Sequence, residues 1–216
     1  MNVIELDAVE KGYDLPGGRR VVLAGVDLVV GRGEVVALAG RSGTGKTTLL
    51  TIIAGWEQPD AGTASLLGDA ERRPDRPWRE LAILPQTLGL LDELTIAENI
   101  GLPLRLATAP RATEPGVLMR RLGLDHLARR FPDEVSLGEQ QRAALARAAV
   151  VGPDVLVADE PVAHQNRAWA EEMMRLLVDL AAAGSTCLLA THDEIAFASA
   201  DRVVVLDAGR LTDLAR

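Results

Sequence analysis

A mixed α/β fold, opened by a short β-rich segment and carrying a helical insertion, is predicted by three features of this sequence. The first is Gly40-Arg41-Ser42-Gly43-Thr44-Gly45-Lys46-Thr47, which fits the phosphate-loop pattern G-x-x-x-x-G-K-[ST] without a mismatch. The second is a series of short apolar runs with strand character: Val35 to Ala39, Leu81 to Leu84, Val155 to Ala158, Thr186 to Ala190 and Val203 to Leu206. The third is a change to helical spacing between Thr95 and about Val151, where Ala97, Ile100 and Leu104, then Leu118, Leu122 and Leu127, recur at intervals suited to one helix face.

Taken in order, Val3 to Leu6, Val21 to Val30 and Glu34 to Ala39 read as strands, divided by Pro16-Gly17-Gly18 and Gly31-Arg32-Gly33. Tyr13, the single tyrosine, falls in the first connection and offers a flat surface on which a base can stack. Lys46 to Ala54 reads as a helix ending at Gly55, so the glycine loop stands at a helix N-terminus. There Gly43 and Gly45 allow a tight turn with inward-pointing N–H groups, and the helix dipole favours a polyphosphate. Lys46 adds a full charge at the β- and γ-phosphates, and the Thr47 hydroxyl suits Mg²⁺. Of the 23 basic residues only Lys11 and Lys46 are lysine, so a compact ammonium at this position is informative.

Pro59-Asp60-Ala61-Gly62 is a turn before a strand at Ala64 to Leu67, and Asp69 to Pro77 reads as an exposed polar loop. Leu81 to Leu84 ends at Pro85-Gln86, where the Gln86 amide oxygen can meet a Mg²⁺ shell or a water. Ala107 to Pro115 is the expected internal loop of the helical insertion. Ser136-Leu137-Gly138-Glu139-Gln140-Gln141-Arg142 leads into the alanine-rich run Ala143 to Ala149. Ser136 and Glu139 are complete as a capping box; the same helix N-terminus is also a second anion site, more than one nucleotide needs in one molecule. The surplus points to a site completed on another subunit.

Val155 to Ala158 runs into Asp159-Glu160-Pro161, two carboxylates at a strand end, where α/β sheets place their ligands. Asp159 suits a hydrated Mg²⁺ and Glu160 suits a general base on water; the alternative is a solvated turn. His192, after the run Thr186 to Thr191, can donate to a γ-phosphate and orient Glu160, or be structural. Trp169, Met173, Leu176, Leu177 and Leu180 mark a core-facing helix stripe.

The 216 residues carry 31 acidic against 23 basic side chains, a net charge of −8, which speaks against a nucleic-acid partner. At 48% apolar the chain can fill a substantial core. The single cysteine, Cys187, lies in a buried run, which excludes a disulfide framework and fits a reducing compartment. No apolar run reaches the roughly 18 residues of a membrane span, and Glu5, Asp7, Glu10 and Asp14 stand where a signal peptide is apolar, so a cytosolic location is expected.

The spacing of phosphate loop, Gln86, serine-glycine loop, Asp-Glu pair and His192 resembles the nucleotide-binding domains of ABC transporters across essentially the whole chain. Ser136 to Arg142 looks like that family's signature loop, Gln86 like its Q-loop, His192 like its switch histidine and Tyr13 like its adenine-stacking aromatic. Leu88-Gly89-Leu90-Leu91 and Leu94 to Asn99 look closest to ATPases paired with lipoprotein-releasing or macrolide-exporting permeases. There are three departures: Leu137 stands where Gly is usual, Glu139 where Gln is commoner, and Val162-Ala163-His164-Gln165-Asn166 where Thr and then a run ending in Leu-Asp is usual.

The resemblance implies a P-loop NTPase of ABC type, with an ATP-binding α/β core over 1–88 and 152–216 and a helical subdomain over 89–151. ATP and Mg²⁺ are the implied ligands. Arg41, Ser42, Thr44 and Thr48 join the other loop residues around the nucleotide, with Ser136, Gly138 and Glu139 reaching it from a second copy; Thr47, Gln86 and Asp159 serve the metal, and Glu160, His192 and Gln86 the chemistry. The implied partners are a second copy or related ATPase, head to tail, and a separate integral-membrane permease, with the chain peripheral on the inner face of the membrane. A regulatory clamp on a membrane complex, or a soluble ATPase of the same type, are the alternatives.

Overall fold

The computed structural model describes residues 1–71, 73–106 and 112–214. Of the loop expected at 107 to 115, positions 107–111 lie outside the described residues. The chain opens with β1 (Asn2–Leu15) and β2 (Gly18–Gly31), an antiparallel hairpin that pairs Tyr13 with Arg20. Tyr13 is therefore a strand residue and not a loop residue. The polar, glycine-containing second half of β1 conceals this in the sequence, because it is held by hairpin pairing and not by burial. With β4 (Ala61–Leu66) the hairpin forms a three-stranded sheet in the order β2-β1-β4. Ala61 and Gly62 of the expected turn are already in that strand.

The second sheet holds β3 (Val35–Ala39), β5 (Leu81–Leu84), β6 (Val155–Asp159), β7 (Thr186–Ala190), β8 (Arg202–Asp207) and β9 (Arg210–Asp213), in the order β5-β6-β7-β3-β8-β9. All its neighbours are parallel except β8 and β9, a terminal hairpin across Ala208-Gly209 that the polar sequence Arg210 to Asp213 does not announce. The central strands β3, β6 and β7 are apolar at every position but Asp159 and Thr186 because both faces are covered. Val36, Leu38, Val157 and Leu188 pack toward the three-stranded sheet and α1 (Lys46–Ile53). Their sequence neighbours Val35, Ala37, Leu156 and Leu189 pack toward α2 (Ile96–Leu106), α3 (Pro115–Arg121), α4 (Leu137–Ala149) and α5 (Arg167–Ala182). The helix α6 (Glu194–Ser199) joins β7 to β8.

On α5, Met173, Leu176, Leu177 and Leu180 are buried as the stripe predicts, whereas Trp169 is only half-buried, with the Arg142 guanidinium carbon 4.5 Å from its ring centroid. Cys187 is fully buried and desolvation pushes its thiol up to about 12, so it is an inert core residue. The polar stretch from Asp69 is less exposed than its composition suggests: the Arg76 side chain is buried between Asp69 and Glu80.

Candidate functional site

The order of the parallel strands decides which loops meet. β5, β6, β7 and β3 are successive neighbours, so the segments leaving their C-terminal ends lie side by side, the position at which open α/β sheets bind ligands. The loop after β3 is the glycine loop, the segment after β5 carries Gln86, β6 ends at Asp159 before Glu160, and β7 leads to His192. Together they line a cavity of about 900 Å³.

Gly45 stands at the N-cap of α1 with φ 109, in the left-handed region, and a Cβ there would come within 2.5 Å of the Val22 side chain of β2. At Gly40 a Cβ would lie 2.7 Å from the Leu206 carbonyl. Close backbone approach therefore requires glycine at both ends of the loop. The Lys46 ammonium is buried and donates to the carbonyls of Gly40 at 2.7 Å and Arg41 at 3.3 Å, folded back over its own loop.

Thr47 Oγ1 donates to Asp159 Oδ2 at 2.7 Å, joining the helix N-terminus to the end of β6. Burial pushes the Asp159 carboxyl above the usual carboxylate range; the Thr47 hydrogen bond opposes this, the neighbouring Glu160 charge adds to it and Lys46 offsets it further. Glu160 has a left-handed φ of 51, uncommon for a residue with a Cβ. Its Oε1 is 2.8 Å from His192 Nδ1, and its Oε2 accepts from the Thr191 hydroxyl at 3.1 Å. The carboxylate is thus held at both oxygens while the imidazole faces solvent.

Tyr13 also lines the cavity, its hydroxyl donating to Glu57 Oε2 at 2.8 Å and lying 3.3 Å from Thr48 Oγ1. Those contacts orient the ring at the cavity edge beside α1. Of the residues singled out in the sequence, Tyr13, Gly40 to Gly43, Gly45 to Thr48, Gln86, Asp159, Glu160 and His192 line the one cavity; Thr44 is in the same loop, its hydroxyl donating to the Arg41 carbonyl at 2.9 Å.

Ser136, Gly138 and Glu139 do not line it. They stand at the N-terminus of α4, where the Glu139 carboxylate accepts from the Ser136 N–H at 2.8 Å and from its hydroxyl at 2.7 Å. The capping box is therefore formed, and the Ser136 bonds hold the Glu139 carboxyl below the usual range. Asn166 caps α5, accepting from the Trp169 N–H at 3.0 Å. Between the two caps, Gln165 Nε2 donates to the Gly138 carbonyl at 2.9 Å.

Six cavity residues were not assigned to the site from the sequence: the apolar Leu15, Val22 and Ala163 and the polar Arg20, Gln141 and His164. Arg20 of β2 lies directly across the hairpin from Tyr13 and donates to the Gly43 carbonyl at 3.2 Å. Extending the hairpin register outward from Pro16-Gly17 would have located it. His164 and Gln141 also line the cavity; the one lies in the departing run after Glu160 and the other in the run Ser136 to Arg142, and nothing local assigns either to this cavity.

Residues 23–163 match the ABC transporter family. Curated relatives include the methionine import ATP-binding protein MetN of Bordetella avium strain 197N, 36% identical over 226 residues covering 99% of this chain and 62% of MetN. The Fe(3+) ions import ATP-binding protein FbpC 2 of Rhodococcus jostii strain RHA1 is 38% identical over 98% of this chain and 61% of its own length. This chain thus spans about three-fifths of those two proteins. The uncharacterized ABC transporter ATP-binding protein YbbA of Escherichia coli K12, at 36% identity, matches over 98% of this chain and 97% of its own length. Among solved structures, the dimeric cassette MJ0796 superimposes with a TM-score of 0.86 at 27% identity over 99% of both chains, and the same cassette in a post-hydrolysis state with ADP and Pi gives 0.85. With the family matched over more than half its length, and the same cassette fold along nearly all of it, this chain belongs to the ABC transporter family.

Proposed function

We propose that this chain is an ATP-hydrolysing subunit that pairs head to tail with a second copy, or a related ATPase, and drives a separate integral-membrane permease. One observation carries the reading: Lys46 and the Thr47–Asp159 pair at a helix N-terminus share a cavity with the Glu160–His192 pair. That is a phosphate cradle with an oriented carboxylate beside it. The triphosphate rests on the N–H groups of the loop, and Lys46 turns from its own carbonyls to the β- and γ-phosphate oxygens. Glu160, held by His192 and Thr191, accepts a proton from water as the water oxygen attacks the γ-phosphorus and ADP departs.

Mg²⁺ fits the donors present. Thr47, Asp159 and Gln86 can each offer an oxygen, the donor type Mg²⁺ takes, and all three line the cavity. When bound, the ion neutralises charge on the β- and γ-phosphates.

Tyr13 reads as the base-stacking surface. Tyr13→Ala should weaken ATP affinity by about 1 kcal/mol, the value of an aromatic contact, with little preference among purine bases. Unchanged affinity in a nucleotide titration would return Tyr13 to the status of a hairpin residue that ties β1 to Glu57.

The head-to-tail pair is supported by Ser136, Gly138 and Glu139 standing outside the cavity of their own chain, and by the dimeric state of the MJ0796 cassette. Leu137, 49% exposed, and Asn166, its side chain engaged in the α5 cap, would face that seam. Glu160→Gln should elute as a dimer with Mg-ATP and as a monomer without it; a monomer in both conditions overturns ATP-driven pairing by this chain alone. No described helix is long and apolar enough to cross a membrane. On this reading the helical subdomain 89–151 and the Gln86 loop receive the permease on the inner face of the membrane.

A further inference from the structure

Helix α4 buries three polar side chains, Gln141, Arg142 and Arg147, at 3%, 7% and 5% exposure. Each sends donors to a loop or to the backbone of another element. Gln141 Nε2 donates to the carbonyls of Glu160 at 2.9 Å and Pro161 at 3.1 Å. Arg142 bonds the Leu122 carbonyl at 2.9 Å and Gln165 at 3.0 Å. Arg147 donates from Nη1 to the Gly89 carbonyl at 2.6 Å and from Nη2 to the Leu88 carbonyl at 2.7 Å, with Trp78 beside the guanidinium.

The Arg147 arrangement is costly as packing. Its Nε is the one buried side-chain nitrogen or oxygen without a partner among the described residues, and an apolar side chain would avoid both that orphan and the desolvation of a cation. What the guanidinium supplies is a rigid planar fork in which two separate nitrogens each hold one of two successive carbonyls, where Gln141 shares a single nitrogen between its two. The turn it grips is unusual: Leu88 and Gly89 have φ of 62 and 60, and the Leu88 N–H returns to the Pro85 carbonyl at 2.9 Å, bracketing Gln86. Gln141 and Arg147 are six residues apart on one helix, about 9 Å along its axis. The two loops are therefore held at a separation set by α4.

We propose that α4 is the common mount of the loops bearing Glu160 and Gln86, and that Arg147 is a positioning residue that acts on hydrolysis through Gln86. This rests on the ATPase reading above. Arg147→Met should lower kcat about 10- to 100-fold, the effect of a displacement near 1 Å, while ATP affinity stays within about twofold. Amide exchange across residues 86–91 should accelerate, and Arg147→Lys, with one point donor, should fall between.

In a Gln86→Ala background the same Arg147 substitution should cost less than about twofold more, because the group it positions is gone. A kcat loss that repeats in full in that background, or an unchanged kcat in Arg147→Met, overturns the proposal. Should Arg147→Met fail to fold, the cycle is run with Arg147→Lys under the same additivity criterion. If the unmodified chain shows no ATP turnover, the functional reading fails and the mount is judged on exchange alone: unaltered exchange at 86–91 in Arg147→Lys overturns it.

Discussion

Glu160→Gln is expected to bind ATP as the unmodified chain does and to hydrolyse it about 10²- to 10⁴-fold more slowly, the contribution typical of a positioned general base. In barrier height that is roughly 3–5 kcal/mol. The expectation follows from the carboxylate's surroundings. One oxygen lies 2.8 Å from His192 Nδ1 and the other 3.1 Å from the Thr191 hydroxyl, so an amide of the same size can keep contacts to both neighbours without disturbing the strand end. What the amide lacks is the capacity to accept the water's proton. Affinity should be spared because, on the proposed reading, the phosphates rest on the loop around Lys46. Single-turnover hydrolysis with pre-bound ATP separates the chemical step from binding and product release. Hydrolysis within a few-fold of the unmodified rate would place the base elsewhere. His192→Ala should slow the same step by a smaller factor, since Thr191 still holds one oxygen.

Lys46→Ala is expected to show the opposite division: nucleotide affinity is lost first. The ammonium is buried and already paired with the Gly40 and Arg41 carbonyls at 2.7 and 3.3 Å, so it is poised at the loop without being committed to a counter-charge. Removing one member of a buried charge pair costs about 2–5 kcal/mol, at least about 30-fold in affinity. Loop conformation should survive, because the requirement for glycine at Gly40 and Gly45 arises from neighbouring backbone and side-chain atoms and not from Lys46. Equilibrium titration with a fluorescent nucleotide measures the loss; wild-type affinity in Lys46→Ala would remove the loop from the site.

The contrast between Tyr13 and Glu160 shows how much of the site is legible along the chain. Glu160 is recognisable because an apolar run ending in two carboxylates is a local pattern. Tyr13 is recognisable as an isolated aromatic, but its place in β1 comes from pairing with Arg20, which no apolar alternation marks. The strand β9 escapes for the same reason. Arg210 to Asp213 is polar and exposed except at the half-buried Leu211, and it becomes a strand because β8 offers an edge beside it. Gln141 and Arg147 lie in a helix that alanine content makes plain, yet the carbonyls they grip belong to loops 19 or more residues away in sequence.

The sequence by itself therefore determined the phosphate loop, the capping box at Ser136 and Glu139, the apolar strands of the core sheet and the carboxylates and histidine at their ends. In each case the deciding interactions lie within a few residues, where backbone geometry and side-chain period act directly. The tertiary structure alone decided which of these features meet. Thr47 and Asp159 are 112 positions apart and bond at 2.7 Å only because β6 and β3 flank β7 in parallel; Ser136 is kept out of the cavity that its own chain forms; and Arg147 reaches the Gln86 loop from the side. The physical reason is that a hydrogen bond demands placement within a few tenths of an ångström. Apolar period specifies which face of a strand is buried but not which strand lies beside it.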